Sequence, residues 1–182
     1  MGNLQEKETV DQLELIEKAH DWFELVKESQ SDSDRGCALL LAAFLEAHLE
    51  ELLRSAFIRR KNVVDSLFEY PGPLCTFSAK IRIAYCLRLL HHYEYRDLIR
   101  IQKIRNKFAH ELHGLSFKKD KEIARLCRSL ESRKVKGLDT EGISNRWLFW
   151  LTAYSLASDI DNRTLDEETE EIVPAKPVFT EP

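Results

Sequence analysis

One segment of the chain holds polar side chains whose types and spacing are suited to acid–base chemistry. It runs from Asp97 to His113 and contains Arg105, Asn106, His110 and His113. Histidine titrates near neutral pH and can transfer protons, and a guanidinium can stabilise a developing negative charge. At about 100° per residue, the two histidines and the asparagine share one side of a helix, beside Lys103. This polar line is the candidate functional site.

The same geometry places Arg105 away from that line. Arg105 and His110 are separated by about 140° around a straight helix, so they cannot converge on one atom within a single chain. Leu98, Ile101, Ile104, Phe108 and Leu112 make the apolar stripe that should be buried. A site that used both the arginine and the histidine would therefore need a second chain.

The spacing of Arg105 and His110 resembles the Arg-x4-6-His motif of the HEPN superfamily. These all-α proteins include metal-independent ribonucleases in which the catalytic residues of two subunits meet at a dimer interface. The resemblance implies that His110 transfers a proton, Arg105 stabilises the phosphate charge and Asn106 orients the substrate or His110. It also implies a homodimer that needs no cofactor. Arg100, Lys103, Lys107 and His113 would then contact the RNA.

A longer resemblance, to the mannitol operon repressor family, covers about residues 35–130. That family is helical and bacterial and lacks a helix-turn-helix. Some of its members have lost the Arg/His pair. The similar segments are Arg35 to Arg54, Gly72 to Ile81, Ala84 to Leu87, Ile104 to His110 and Gly114 to Phe117.

Three functions follow from the two resemblances. The first, preferred here, is an endoribonuclease with a composite site in a homodimer. The second is a non-enzymatic transcriptional regulator that acts through contacts with a partner protein. The third is a toxin or defence component that a partner protein silences.

Structural roles compete with each of these interpretations. Arg105 could form a surface ion pair, and His110 could simply favour a helix C-terminus. His110 and His113 have the i, i+3 spacing of metal ligands, but no carboxylate or cysteine completes a site, so we expect no metal. Three aromatic residues near the C-terminus are more typical of a core or an interface than of base stacking: Trp147, Phe149 and Trp150. A set of basic residues could hold phosphates but is more typical of a solvated surface: Lys118, Lys119, Lys121, Arg133, Lys134 and Lys136.

The elements that must position these residues are helices. Only 6 glycines and 5 prolines occur in 182 residues, and the window 74–113 contains no proline and no glycine. This scarcity excludes collagen and disfavours a turn-rich β-sandwich. We predict an all-α, HEPN-like single bundle of about five to six helices. The predicted helices are 5–29, 35–60, 79–90, 93–112, 119–130 and 143–160, with a helical turn at 63–68.

The bundle should occupy residues 1–163, followed by an acidic, proline-containing tail at 164–182. The formal net charge of −4 gives no overall attraction for nucleic acid. The four cysteines form no Cys-x-x-Cys pair, and Cys37 and Cys86 lie in apolar runs that favour buried thiols. With neither a signal peptide nor a long uncharged segment, we expect a soluble cytoplasmic protein that does not contact the membrane.

Overall fold

The computed structural model describes residues 32–111, 113–132 and 141–169, with side chains as far as Thr164. Within these ranges the chain forms six helices and no strand, which confirms the all-α bundle. The helices are α1 (Asp34–Ala56), α2 (Lys61–Phe68), α3 (Phe77–Cys86), α4 (His92–His110), α5 (Lys121–Arg128) and α6 (Asn145–Thr169).

Two helix starts follow directly from the local sequence. The serine- and aspartate-rich run before α1 ends at Ser33, whose hydroxyl accepts a hydrogen bond from the Gly36 N–H at 3.1 Å. Thr76 likewise caps α3 by accepting from the Ala79 N–H at 3.3 Å. Each hydroxyl satisfies a backbone donor that the first turn of a helix leaves free.

Helices α1 and α6 form the centre of the bundle and run in the same direction. At their N-terminal ends, the Arg146 guanidinium donates to the Asp34 carboxylate at 2.8 Å. Further along, His48 Nδ1 lies 2.5 Å from Asp161 Oδ1. The register is therefore fixed by two polar contacts, and the C-terminal ends of both helices lie at the same end of the bundle.

The core lies between α1, α6 and the other helices. Leu41, Leu45 and Leu52 of α1 have no exposed surface, and neither does the α4 stripe that contains Ile101 and Phe108. A row of three aromatic rings links α4 to α6: Phe108 packs on Phe117 and Phe117 packs on Phe149, with centroids 5.1 and 5.2 Å apart. Burial of the predicted stripe fixes which side of α4 faces outward.

The boundaries differ from the sequence prediction in several places. Helix α1 ends at Ala56 rather than Arg60, and α6 continues to Thr169, beyond Ile160. Gly114 has a left-handed φ of +80°, but α4 already ends at His110, so this glycine does not follow the helix directly. The predicted helix 5–29, Leu112 of the predicted apolar stripe, the basic segment 133–136 and residues 170–182 lie outside the described ranges.

Candidate functional site

Helix α4 carries the residues that the sequence assigned to catalysis and RNA contact, except His113, which follows the end of the helix at His110. Its first turn is closed by Glu94, whose carboxylate accepts from the His91 N–H at 2.7 Å. Its apolar stripe packs into the core, and two carboxylates, Glu94 and Asp97, are buried as well. The other members of the polar line lie in the C-terminal half of α4 and are half-buried or exposed.

The three residues assigned to catalysis do not form one site within the chain. The Arg105 guanidinium donates to Asn106 Oδ1 at 3.1 Å, and both side chains are half-buried. His110 is exposed at the last position of α4, and no described contact joins it to either of the other two. The structure thus pairs Arg105 with its neighbour Asn106 and leaves His110 apart.

Lys107, assigned to RNA binding, is held by carboxylates. Its ammonium lies 2.7 Å from Glu122, 3.2 Å from Asp120 and 3.8 Å from Glu111. The hydrogen bond to Glu122 is the main reason that the pKa of Lys107 lies above its usual value. The same bond lowers the pKa of Glu122. A phosphate approaching Lys107 would meet three negative charges rather than a free cation.

Arg100, the next cation on α4, is also engaged. Its guanidinium bonds Asp97 at 2.7 Å and Glu131 at 2.9 Å. Lys103 and His113 are exposed. Of the four residues assigned to RNA contact, two are therefore neutralised by the fold and two are isolated on the surface. No continuous cationic surface results from this set.

Asp97 has no exposed surface and a structural role that its sequence context does not predict. Its carboxylate accepts from the Ser132 N–H at 2.7 Å, the Ser132 hydroxyl at 2.8 Å and the Glu131 N–H at 2.8 Å. Together with Arg100, these donors compensate the cost of burying a charge. Asp97 therefore fixes the chain that follows α5 against α4. Only the i, i+3 spacing of Asp97 and Arg100 could have signalled part of this arrangement.

Glu94 is a second fully buried carboxylate on α4. Arg163 of α6 donates to it at 2.6 Å and also to the Leu89 carbonyl at 3.1 Å. No pattern in the sequence links residues 94 and 163, since they are far apart along the chain. The contact connects the start of α4 to α6.

One of the two cysteines that were predicted to be buried is buried, and the other is exposed. Cys37 is buried, as predicted, and burial raises the pKa of its thiol to about 11. Cys86 is exposed, because it lies on the outer side of the last turn of α3, so the prediction of a buried thiol is wrong there. Across the described ranges no group of three metal-ligating side chains comes together.

The aromatic residues of α6 have separate surroundings. Phe149 belongs to the core, whereas Trp147 is 44% exposed. The Trp147 and Trp150 rings pack at 4.9 Å, and Trp150 stacks on Tyr154 at 5.7 Å with an interplanar angle of 4°.

None of the described helices combines the length and the apolar content needed to cross a bilayer.

The fold and the site together define an all-helical bundle whose candidate catalytic side chains are apart and whose neighbouring cations are largely neutralised. Residues 20–144 match the sequence model of the family described as "Mannitol repressor". Since this match covers most of the chain, the protein belongs to the mannitol repressor family. The resemblance found in the sequence is thereby confirmed.

A solved structure has the same fold. The chain is similar to one in the X-ray structure of the MtlR–HPr complex from Escherichia coli, with a TM-score of 0.62 and 19% identity. The similarity covers 75% of this chain and 94% of that one. No curated protein sequence matches the chain.

These findings correct the preferred function. The prediction of an endoribonuclease that acts on RNA is wrong, because the chain belongs to a repressor family and its structural neighbour is an MtlR protein in complex with another protein. The toxin alternative relied on the same chemistry and has no further support. The regulator alternative agrees with the family. Membership of the HEPN superfamily stays a prediction.

Proposed function

We propose that this protein is a non-enzymatic regulator of transcription that acts through contacts with other proteins. The observation that carries the proposal is the match to the mannitol repressor family over residues 20–144. The charges on α4 support it. Arg100 and Lys107, which would contact RNA in a nuclease, are engaged by carboxylates at 2.7 Å, so they are poorly suited to hold a phosphate.

An HPr protein is the partner class that we propose to test first. The structural neighbour from Escherichia coli was crystallised as an MtlR–HPr complex, and the similarity covers almost all of that chain. The test is calorimetric titration of this chain with the HPr protein of its own source organism. We expect saturable one-to-one binding. A folded chain that releases or absorbs no heat across micromolar to millimolar HPr would contradict this part of the proposal.

The regulator proposal itself is tested in cells. A strain that lacks the gene is complemented with the wild type or with Arg105→Ala plus His110→Ala, and transcripts of the candidate operon are measured. We expect both proteins to restore repression equally, because neither side chain has a catalytic role in this proposal. Loss of repression by the double variant, with an unchanged circular dichroism spectrum, would contradict a non-enzymatic mechanism that does not use these residues.

The homodimer stays a prediction. It was expected for two reasons, and the first, a ribonuclease site shared by two chains, no longer applies. The other was the apolar character of the segment that forms α1, and this helix buries Cys37, Leu41, Leu45 and Leu49 within its own chain. Light scattering at micromolar concentrations measures the mass directly. A mass of one chain at every concentration would exclude the dimer.

A further inference from the structure

We propose that residues 170–182, the part of the predicted tail that follows α6, bind in cis to a basic and apolar patch around α2. The patch consists of Ile58, Arg59, Arg60, Lys61, Val63 and Tyr70. This inference does not rest on the proposed function.

The apolar part of the patch is unusually exposed. Tyr70 is 90% exposed, Ile58 66% and Val63 56%. These three are half of the large hydrophobic side chains that the described chain exposes, and they lie within thirteen consecutive residues. Single exposed hydrophobic residues need no explanation, but three of them on one two-turn helix and its flanking turns favour a binding surface there.

The basic part of the patch has more cations than carboxylates. Arg59, Arg60 and Lys61 are exposed, and none of them forms an ion pair within the described ranges, while Glu69 is the one exposed carboxylate between residues 58 and 70. Asp65, the nearest acidic residue in the sequence, is already paired with Arg54 at 2.7 Å. The patch therefore attracts an acidic segment that also carries apolar side chains.

The patch is held in a fixed shape. The Arg54 guanidinium, besides pairing with Asp65, lies 4.3 Å from the centre of the Phe68 ring and so ties α2 to α1. After α2 the chain turns back, and the Leu74 N–H donates to the Leu67 carbonyl at 2.8 Å. A Cβ at Gly72 would overlap the carbonyl oxygens of Ser66, Leu67 and Glu69, so only glycine fits this turn. A rigid surface loses little conformational freedom when it binds a segment.

The register of α1 and α6 brings the tail to this end of the bundle. His48 contacts Asp161, and each helix continues for eight more residues, to Ala56 and Thr169. At 1.5 Å per residue, each helix extends about 12 Å beyond this contact, so the two helices end at about the same height along the bundle axis. Arg59 follows Ala56 by three residues, and Glu170 is the next residue after Thr169.

The composition of the tail complements the patch. The tail contains Glu170, Glu171 and Glu181 against one cation, Lys176. Ile172, Val173, Val178 and Phe179 supply apolar side chains. The thirteen residues after Thr169 can extend about 43 Å, whereas α2, with eight residues, is about 12 Å long. Attachment to the same chain gives the tail a high effective concentration, so weak contacts suffice.

The proposal has a consequence for partners. A protein that binds this end of the bundle would compete with the tail for the same residues. A second copy of the chain could also donate its tail to the patch, and the experiment below distinguishes the two arrangements.

The test uses the full chain with a nitroxide at Thr180→Cys, after Cys75→Ser and Cys86→Ser remove the accessible thiols. Paramagnetic broadening of amide NMR signals reports which residues the tail approaches. We expect broadening at residues 58–70. Residues 115–119 are the internal reference. Within this segment the Phe117 N–H donates to Asp34 at the far end of α1, about 33 Å from Ala56, so these residues should be unaffected.

Charge-reversal variants test whether electrostatic attraction holds the tail on the patch. Arg59→Glu plus Arg60→Glu should abolish the broadening at 58–70, and adding Glu170→Lys plus Glu171→Lys should restore it. Lys118→Glu plus Lys119→Glu, a matched reversal at the other end, should leave it unchanged. The broadening should also weaken in 0.5 M salt, since exposed charges are screened at that ionic strength.

Two results would overturn the proposal. The first is the absence of selective broadening at 58–70 in a protein with a native spectrum. The second is broadening that occurs in an isotope-labelled chain only when a separate, spin-labelled chain is mixed with it, which would assign the patch to a second copy.

Discussion

In the N-terminal half of α4, Glu94 and Asp97 are fully buried carboxylates, whereas Arg105, Asn106 and His110 in the C-terminal half are half-buried or exposed. The buried pair binds donors from α6 and from the chain after α5. The other three make one hydrogen bond among themselves. The comparison shows that the polar residues of α4 with the most partners stabilise the fold, while those that resemble a catalytic motif have the fewest.

The largest difference in stability between the two halves of α4 is expected at Asp97. We expect Asp97→Ala to lower the free energy of unfolding by about 3–5 kcal/mol, because Arg100 and the backbone donors of Glu131 and Ser132 lose their acceptor in a dry site. Urea denaturation measures the change. The matched variant in the other half, Asn106→Ala, should stay within about 0.5 kcal/mol of the wild type. Equal destabilisation by the two variants would contradict the distinction between the halves.

A smaller effect is expected at Glu94. In Glu94→Gln the amide oxygen can still accept from the His91 N–H, but the charge opposite Arg163 is lost. We expect a loss of about 1–3 kcal/mol, smaller than for Asp97 because Arg163 is partly exposed and keeps the Leu89 carbonyl. A double-mutant cycle with Arg163→Met isolates the pair. A coupling energy near zero would show that the two side chains do not stabilise each other.

The smallest effect is expected at Lys107, whose partners are solvent-exposed. The pKa of Asp120 is lowered because its carboxylate accepts from the Ile123 backbone N–H and contacts Lys107, and Lys107 also lowers the pKa of Glu122. Carboxylates with lowered pKa values stabilise the fold above their ordinary values and lose this effect as the pH falls. Lys107, with a raised pKa, contributes below its ordinary value of 10.5. The difference between wild type and Lys107→Met should therefore be largest near neutral pH.

Thermal denaturation of the wild type and Lys107→Met at pH 3, 7 and 11 tests this pH dependence. The difference in melting temperature between the two proteins should be smaller at pH 3 and pH 11 than at pH 7, and at pH 7 it should be smaller in 1 M salt. A difference that is the same at pH 3 and pH 7 would mean that Lys107 acts through packing of its aliphatic stem rather than through charge.

Local sequence patterns predicted much of the fold. The stripe from Leu98 to Phe108 is buried as expected, because helical periodicity alone assigns residues to one face. Ser33 and Thr76 lie at helix starts because a cap involves residues only three positions apart. The prediction for Cys86 failed because an apolar run near the end of a short helix does not indicate which side will be covered.

The candidate site was predictable only in part. The sequence indicated correctly that α4 carries a polar line, and the family resemblance indicated the class of protein. It could not show that Lys107 would be surrounded by Asp120 and Glu122, nor that Arg100 would bind Glu131. These partners come from α5 and the chain beyond it, so they depend on how the helices pack.

The sequence by itself determined the helices, their apolar faces and the family to which the chain belongs, because these depend on short-range periodicity and on matching segments. Only the tertiary structure decided which polar residues are buried, which are neutralised and which are left exposed. The physical reason is that the fate of a charge depends on its distance to other charges and to water. For Asp97 and Ser132, or Glu94 and Arg163, that distance is set by the packing of helices that lie far apart in the chain.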